Sequence, residues 1–252
     1  MIALPNSIYS RILVNSLDKE KQKNFFFTDA NKIADMVENE FVEVGLIPLY
    51  DLVKFKEFFV SKMFGITFDA MLSYSYIYFK PGTNNLSKFY LYGDVTENEK
   101  ILNKIIFREK FDIETETIET KETPDFNNNN YVICGDYNLD YKHLKNAISF
   151  SEEICDLIKL PYPNFIFVAK NKENLSNIHK ILEKIDYLVD DYLDNFTNNL
   201  TKDKNIELFL RDNQTSIFYT ITEAEELAMS ELIKLAYYHG IFDDMIDIKF
   251  VE

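Results

Sequence analysis

Glycine is scarce, with six in 252 residues, and none stands in a G-x-G-x-x-G or G-x-x-x-x-G-K arrangement. That excludes the dinucleotide and P-loop phosphate cradles, which need glycine for close backbone approach. Tryptophan is absent, and the two cysteines, Cys134 and Cys155, have neither a partner spacing nor nearby histidines. A disulfide framework and a cysteine metal site are therefore not expected, and both thiols read as small buried hydrophobes. The three histidines, His143, His179 and His239, show no spacing to a serine or cysteine nucleophile, so a catalytic triad is unsupported. His179 lies off the apolar stripe of its helix, and His239 falls in a last helical turn, where a cation suits the dipole.

Positive charge is also in short supply. Lys and Arg total 27 against 42 Asp and Glu, a net charge of −15, which lacks the basic footprint of a nucleic-acid binder. Acidic pairs such as Asp190-Asp191 and Asp243-Asp244 do not have EF-hand or two-metal spacing and read as solvated surface. No apolar run approaches the roughly 20 residues of a membrane span. Met1 to Ser7 lacks the basic-then-apolar order of a signal peptide, so a cytoplasmic protein is expected, and the Asn-x-Ser/Thr triplets at Asn174, Asn195 and Asn199 are chance matches.

What is present is a substantial core, with 46% hydrophobic and 15% aromatic residues. The first 48 residues alternate strand and helix. Ile2–Leu4, Asn24–Phe27 and Phe41–Ile47 read as strands, separated by helices carrying Ile8, Ile12, Leu13, Leu17 and Ile33, Met36, Val37. This βαβαβ opening favours a parallel sheet. Gly65–Phe79 reads as one long strand leaving that sheet. Thr96-Glu97-Asn98-Glu99 and Thr222-Glu223-Ala224-Glu225 are capping boxes, the second beginning a helix that Gly240 ends. Glu114–Asn130 reads as a surface strand and loop, the segment after Asp136 as a helix to about Leu157, and Phe165–Val168 as a strand. Leu175, Ile178, Leu182, Ile185, Val189, Tyr192 and Phe196 form a stripe of a single long amphipathic helix, and Met245–Phe250 closes the chain as a strand.

The pattern implies two α/β lobes: residues 1–80 with 190–252, and an inserted 81–189. Two crossings joining such lobes leave a cleft that closes by hinge motion around a small ligand. Neutral polar residues collect at the strand–helix junctions: Asn6 and Ser7, Ser73 and Ser75, Thr96 and Asn98, and the Gly135-Asp136 turn. Helix amino ends present free N–H groups and a favourable dipole, so these residue types serve either to hold a carboxylate or to cap helices.

Read in order, these segments resemble the chorismate dehydratases of the futalosine route to menaquinone. Ala3-Leu4-Pro5-Asn6 is similar to the family's opening turn and places Asn6 on its asparagine. Val42–Pro48 looks like the Val-Asp-Ala-Ala-Leu-Ile-Pro strand. Ser75-Tyr76-Ile77-Tyr78-Phe79 looks like Ser-Val-Leu-Leu-Phe, with Ser73 the alternative register. Tyr131–Asp136 looks like Leu-Leu-Ile-Gly-Asp, Leu160–Ala169 like Leu-Pro-Phe-Val-Phe-Ala with two residues inserted, and Phe218–Ile221 with the helix to Gly240 like the family's end. The chain departs at the Ser-Arg-Thr-Ser turn, here Val95-Thr96-Glu97-Asn98, and lacks the tryptophan before the Leu-Pro strand.

The resemblance implies a two-lobed, mixed-sheet α/β fold of the type II periplasmic-binding-protein kind. It also implies a cofactor-free elimination of water from chorismate to 3-[(1-carboxyvinyl)oxy]benzoate. Asn6 and Ser75 would be catalytic. Ser73, Thr96, Asn98, Gly135 and Asp136 would bind substrate, and a substrate carboxylate or Asp136 would take the proton. The partner expected is a small anionic carboxylate, without metal, nucleic acid or membrane, on a monomer or homodimer. Two alternatives stand beside it: a cytoplasmic carboxylate-binding protein without catalysis, and the sister family acting on cyclic dehypoxanthine futalosine, whose catalytic histidine has no match here.

Overall fold

Ile2–Pro5 (β1) is wholly buried because it lies inside a sheet, parallel to Phe25–Thr28 (β2) on one side and Val44–Pro48 (β3) on the other. The connections are the helices Ile8–Asn15 (α1), a short Lys19–Gln22 (α2) and Ala30–Glu38 (α3), so the parallel opening expected from the sequence is present. The computed structural model describes residues 1–83, 85–194, 201 and 203–252. Phe196 and the triplets at Asn195 and Asn199 lie outside the described residues.

The chain then builds Phe59–Phe68 (β4) and leaves for a second sheet. That sheet holds Ser75–Tyr78 (β5), Lys88–Gly93 (β6), Glu116–Glu119 (β7), Tyr131–Cys134 (β8) and Ile148–Ser149 (β9), in the order β7-β6-β8-β5-β9. Its helices are Glu97–Phe111 (α4), Tyr141–Leu144 (α5) and Phe150–Ile158 (α6). Tyr162–Ala169 (β10) returns to the first sheet, antiparallel to both β3 and β4. The helices Lys172–Ile181 (α7), Ile185–Asp194 (α8), Lys204–Asp212 (α9) and Glu223–Tyr238 (α10) follow, with Ile217–Thr220 (β11) and Lys249–Val251 (β12) completing a seven-stranded first sheet. Beside the full-length pairing with β10, β4 carries β12 on its first three residues and β11 on its last turn of strand, so it is the sheet's organising strand.

Three sequence expectations change. The alternation over 65–79 is two strands in two different sheets: it breaks after Phe68, where Asp69 donates its N–H to Ser216 and Ala70 takes φ +92°. The helix expected from Asp136 to Leu157 is a 3-10 turn at Gly135–Asn138, a four-residue helix, a two-residue strand and α6, whose Ser149 cap receives Glu152 N–H. The apolar stripe through Leu175 to Tyr192 spans two helices, because Lys184 adopts φ +65° and turns the chain between them. Leu182 and Ile185 stay fully buried at this corner. β5 belongs to the second sheet, and β10 returns to the first.

Candidate functional site

The two sheets meet at the carboxyl ends of β1, β6 and β8 and the amino end of the antiparallel β5, the kind of edge where an α/β fold places ligands. On the first lobe this edge presents the amino ends of α1 and α3. Ser7 caps α1, its Oγ accepting Ser10 N–H at 3.2 Å, which leaves the first helical amide, Ile8 N–H, for another acceptor. That acceptor comes from the second lobe: Asp136 Oδ1 lies 2.8 Å from Ile8 N. Its other oxygen forms an ion pair with Arg11, whose Nη1 also donates to Asn6 Oδ1 at 3.2 Å.

Gly135, at φ +70°, makes this turn possible by donating its N–H to Tyr74 O at 2.8 Å, with a left-handed backbone that side chains rarely adopt. The small cavity left between the lobes is about 10 Å³, no more than one water's room. Ser7, Ile8, Tyr9, Ser73, Tyr74 and Asp136 are among the residues around it.

A second contact repeats the first on α3. Asp29 stands at the N-cap but makes no side-chain cap bond, pairing instead with Lys32. Ala30 N–H is taken by Asp94 of the second lobe, at 3.0 Å to Oδ2. Tyr74 OH donates to the same oxygen at 2.8 Å. Burial raises the Asp94 carboxyl above its usual range, opposed by these two donors, and burial with the Asp94 charge raises the Tyr74 phenol. The approach depends on Gly93, which at φ +100° would bring a Cβ within 2.3 Å of Cys134 O.

The remaining expected site residues sit beneath this edge. Ser75 is 1% exposed, and its Oγ donates to Glu99 Oε1 at 2.7 Å. Thr96 caps α4 and gives both its N–H and its hydroxyl to Glu99 Oε2, the capping box read from sequence. Glu99 is therefore fully buried with three donors, and burial raises its carboxyl against the pull of Thr96 and Ser75. Asn98, also fully buried, accepts Tyr50 N–H at 3.0 Å and donates to Asn164 O at 2.8 Å, joining α4 to the first lobe. Ser73 Oγ is 2.7 Å from Ser151 Oγ, while its carbonyl accepts Tyr9 OH at 2.9 Å. Asn6, Gly135 and Asp136 thus come together at the edge, with Ser73 beside them, whereas Ser75, Thr96 and Asn98 are engaged in the second lobe's interior and its seam with β10. Glu97 lies away from this edge, pairing with Lys54 and Lys100.

Sequence reading missed Arg11, Asp94 and Glu99. Arg11 carried a signal: it is one of three arginines, and a guanidinium in the first turn of a helix opposes the dipole. The histidines stand elsewhere. His179, expected off the apolar stripe, is 8% exposed and lies 2.8 Å from Ser61 Oγ, its pKa lowered by burial. His239 pairs with Glu109 at 2.8 Å. Among the described residues no group of three or more His, Cys, Asp or Glu could hold a metal, and no helix is long and apolar enough to cross a membrane.

No protein-family model matches the sequence, and no curated protein shows significant similarity to it. Solved structures do match across nearly the whole chain. A ligand-binding component of an ABC-type import system from Staphylococcus aureus, solved with zinc, is 12% identical over 100% of this chain and 95% of its own, with TM-score 0.66. The fold is that of the two-lobed type II periplasmic binding proteins. An Archaeoglobus fulgidus structural-genomics protein superposes at TM-score 0.68 with 10% identity, covering 96% of this chain and 97% of its own. The aliphatic sulphonate binding protein of Escherichia coli does so at 0.59 with 9% identity, over 98% and 89%. In this chain the amino ends of α1 and α3 are met by Asp136 and Asp94.

Proposed function

We propose that the chain binds a small organic anion in its interlobe cleft, with the α1 amino end and Arg11 as the anion's seat. The observation that carries this is the Asp136 carboxylate itself: one oxygen on Ile8 N–H, the other on Arg11, the geometry a carboxylate or sulphonate ligand needs. The sulphonate binders among the structural neighbours support the same ligand class. The closing units are residues 1–70 with 162–252, and 71–161, a division that sheet membership supports.

Dehydration of chorismate is the second reading, favoured by one feature: Asn6 and Asp136 both meet Arg11, setting an amide and a carboxylate at one point of the cleft. Elimination that yields an aromatic ring asks mainly for fixed geometry and charge stabilisation. Against it stands Ser75, committed to Glu99 beneath the edge.

Incubation with chorismate separates the two. A binder is expected to gain about 5 °C in Tm at a hundredfold excess over Kd, with ultraviolet absorbance unchanged. Growth of an aromatic product's absorbance establishes the second reading. Neither a Tm gain nor a product with chorismate or simple alkanesulphonates rejects the anion site.

A further inference from the structure

We propose that the cleft is latched from within: Asp136 and Asp94, both from the second lobe, cap the α1 and α3 helices of the first and hold the lobes closed, so that an incoming anion must displace Asp136. This rests on the anion-binding reading and adds a regulatory element to the same site.

Both contacts have the same construction. Each helix has its first amide served across the cleft and not by its own N-cap side chain. On α1, Ser7 serves Ser10 and leaves Ile8 to Asp136. On α3, Asp29, a residue type suited to capping, is held by Lys32, and Ala30 is served by Asp94. Both carboxylates follow directly on left-handed glycines at strand ends, Gly93 and Gly135, in β6 and the turn after β8. These two strands are paired, with Gly93 opposite Cys134, so the carboxylates move as one rigid edge. Tyr74 ties them further, accepting Gly135 N–H on its carbonyl and donating its hydroxyl to Asp94.

A hydrogen bond to a charged acceptor is stronger than a neutral one, and the dipole of each helix adds to it. Two such contacts on one edge bias the closed state, and a ligand's gain at Arg11 is reduced by the contact it replaces. The device therefore sets a threshold: weakly held anions leave the lobes shut, and strongly held ones open the latch and take the Asp136 seat.

Amide hydrogen exchange and small-angle scattering on the ligand-free protein test this directly. In the wild type, Ile8 and Ala30 amides are expected to be protected. In an Asp94→Ala, Asp136→Ala double variant they should exchange roughly tenfold faster or more, and the radius of gyration should rise. Wild-type Ile8 and Ala30 amides exchanging as fast as exposed loop amides overturn the latch without any variant. A folded double variant with unchanged exchange and radius overturns it equally. Because no ligand enters either measurement, a latched protein that fails to bind anions, and an anion binder with no latch, give different results.

Discussion

Glu99→Ala is expected to lower the unfolding free energy by about 3–5 kcal/mol, because three buried donors lose their acceptor together and each unsatisfied group costs about 1–3 kcal/mol. Those donors are Ser75 Oγ, Thr96 N–H and Thr96 Oγ1, and Glu99 itself is fully buried, so water cannot replace it. The substitution also removes one half of the α4 capping box, an added loss of about 1 kcal/mol that overlaps with the first. Glu99→Gln keeps an amide oxygen for one side of the network, so it is expected to lose less than half as much. Denaturant unfolding of the two variants measures this, and a loss below about 1 kcal/mol for Glu99→Ala would mean that the network is not holding β5 to α4.

Asp51→Asn is expected to act in the opposite direction at neutral and alkaline pH. Asp51 is 5% exposed, and burial, reinforced by the Glu97 charge, raises its carboxyl to about 7, against opposition from Lys54. With the folded pKa above the unfolded one, the stabilising contribution is complete below about pH 4 and disappears as pH rises through 7. A shift of this size corresponds to roughly 4 kcal/mol at most. The variant cannot ionise, so it is expected to exceed the wild type by up to about 4 kcal/mol at pH 8 and to match it near pH 4. The difference between the two unfolding curves across that range isolates this group. A difference independent of pH would show that Asp51 is ionised in the folded state without cost.

Local chemistry made much of the fold legible. The apolar spacings of α1 and α3, the run Val42–Pro48, and the two Thr-x-x-Glu boxes depend on neighbours within a few residues, and all form the expected kind of element, although the strand starts at Val44 and not at Phe41. Elements decided by distant partners were not legible. The alternation through Gly65–Phe79 gives no hint that its halves pair with β10 and β8 respectively. Lys184 turns the long stripe into two helices while leaving its apolar period intact. The same division runs through the site. Gly135-Asp136 was legible as a turn at a strand's end, because glycine and aspartate there have a local reason. Glu99 read only as half of a capping box, since its other partner, Ser75, is 24 residues away. Asp94 was silent for a similar reason: the helix it caps already carries Asp29, which by sequence alone accounts for that helix start.

On the proposed reading, a ligand anion and the Asp136 carboxylate compete for one seat at Ile8 N–H and Arg11. Calorimetric titration of chorismate into the wild type and Asp136→Asn tests it most directly. Saturable binding to both is expected, about tenfold or more tighter in the variant because the competing charge is gone. Equal or weaker affinity in Asp136→Asn, or no binding to either protein, would contradict it.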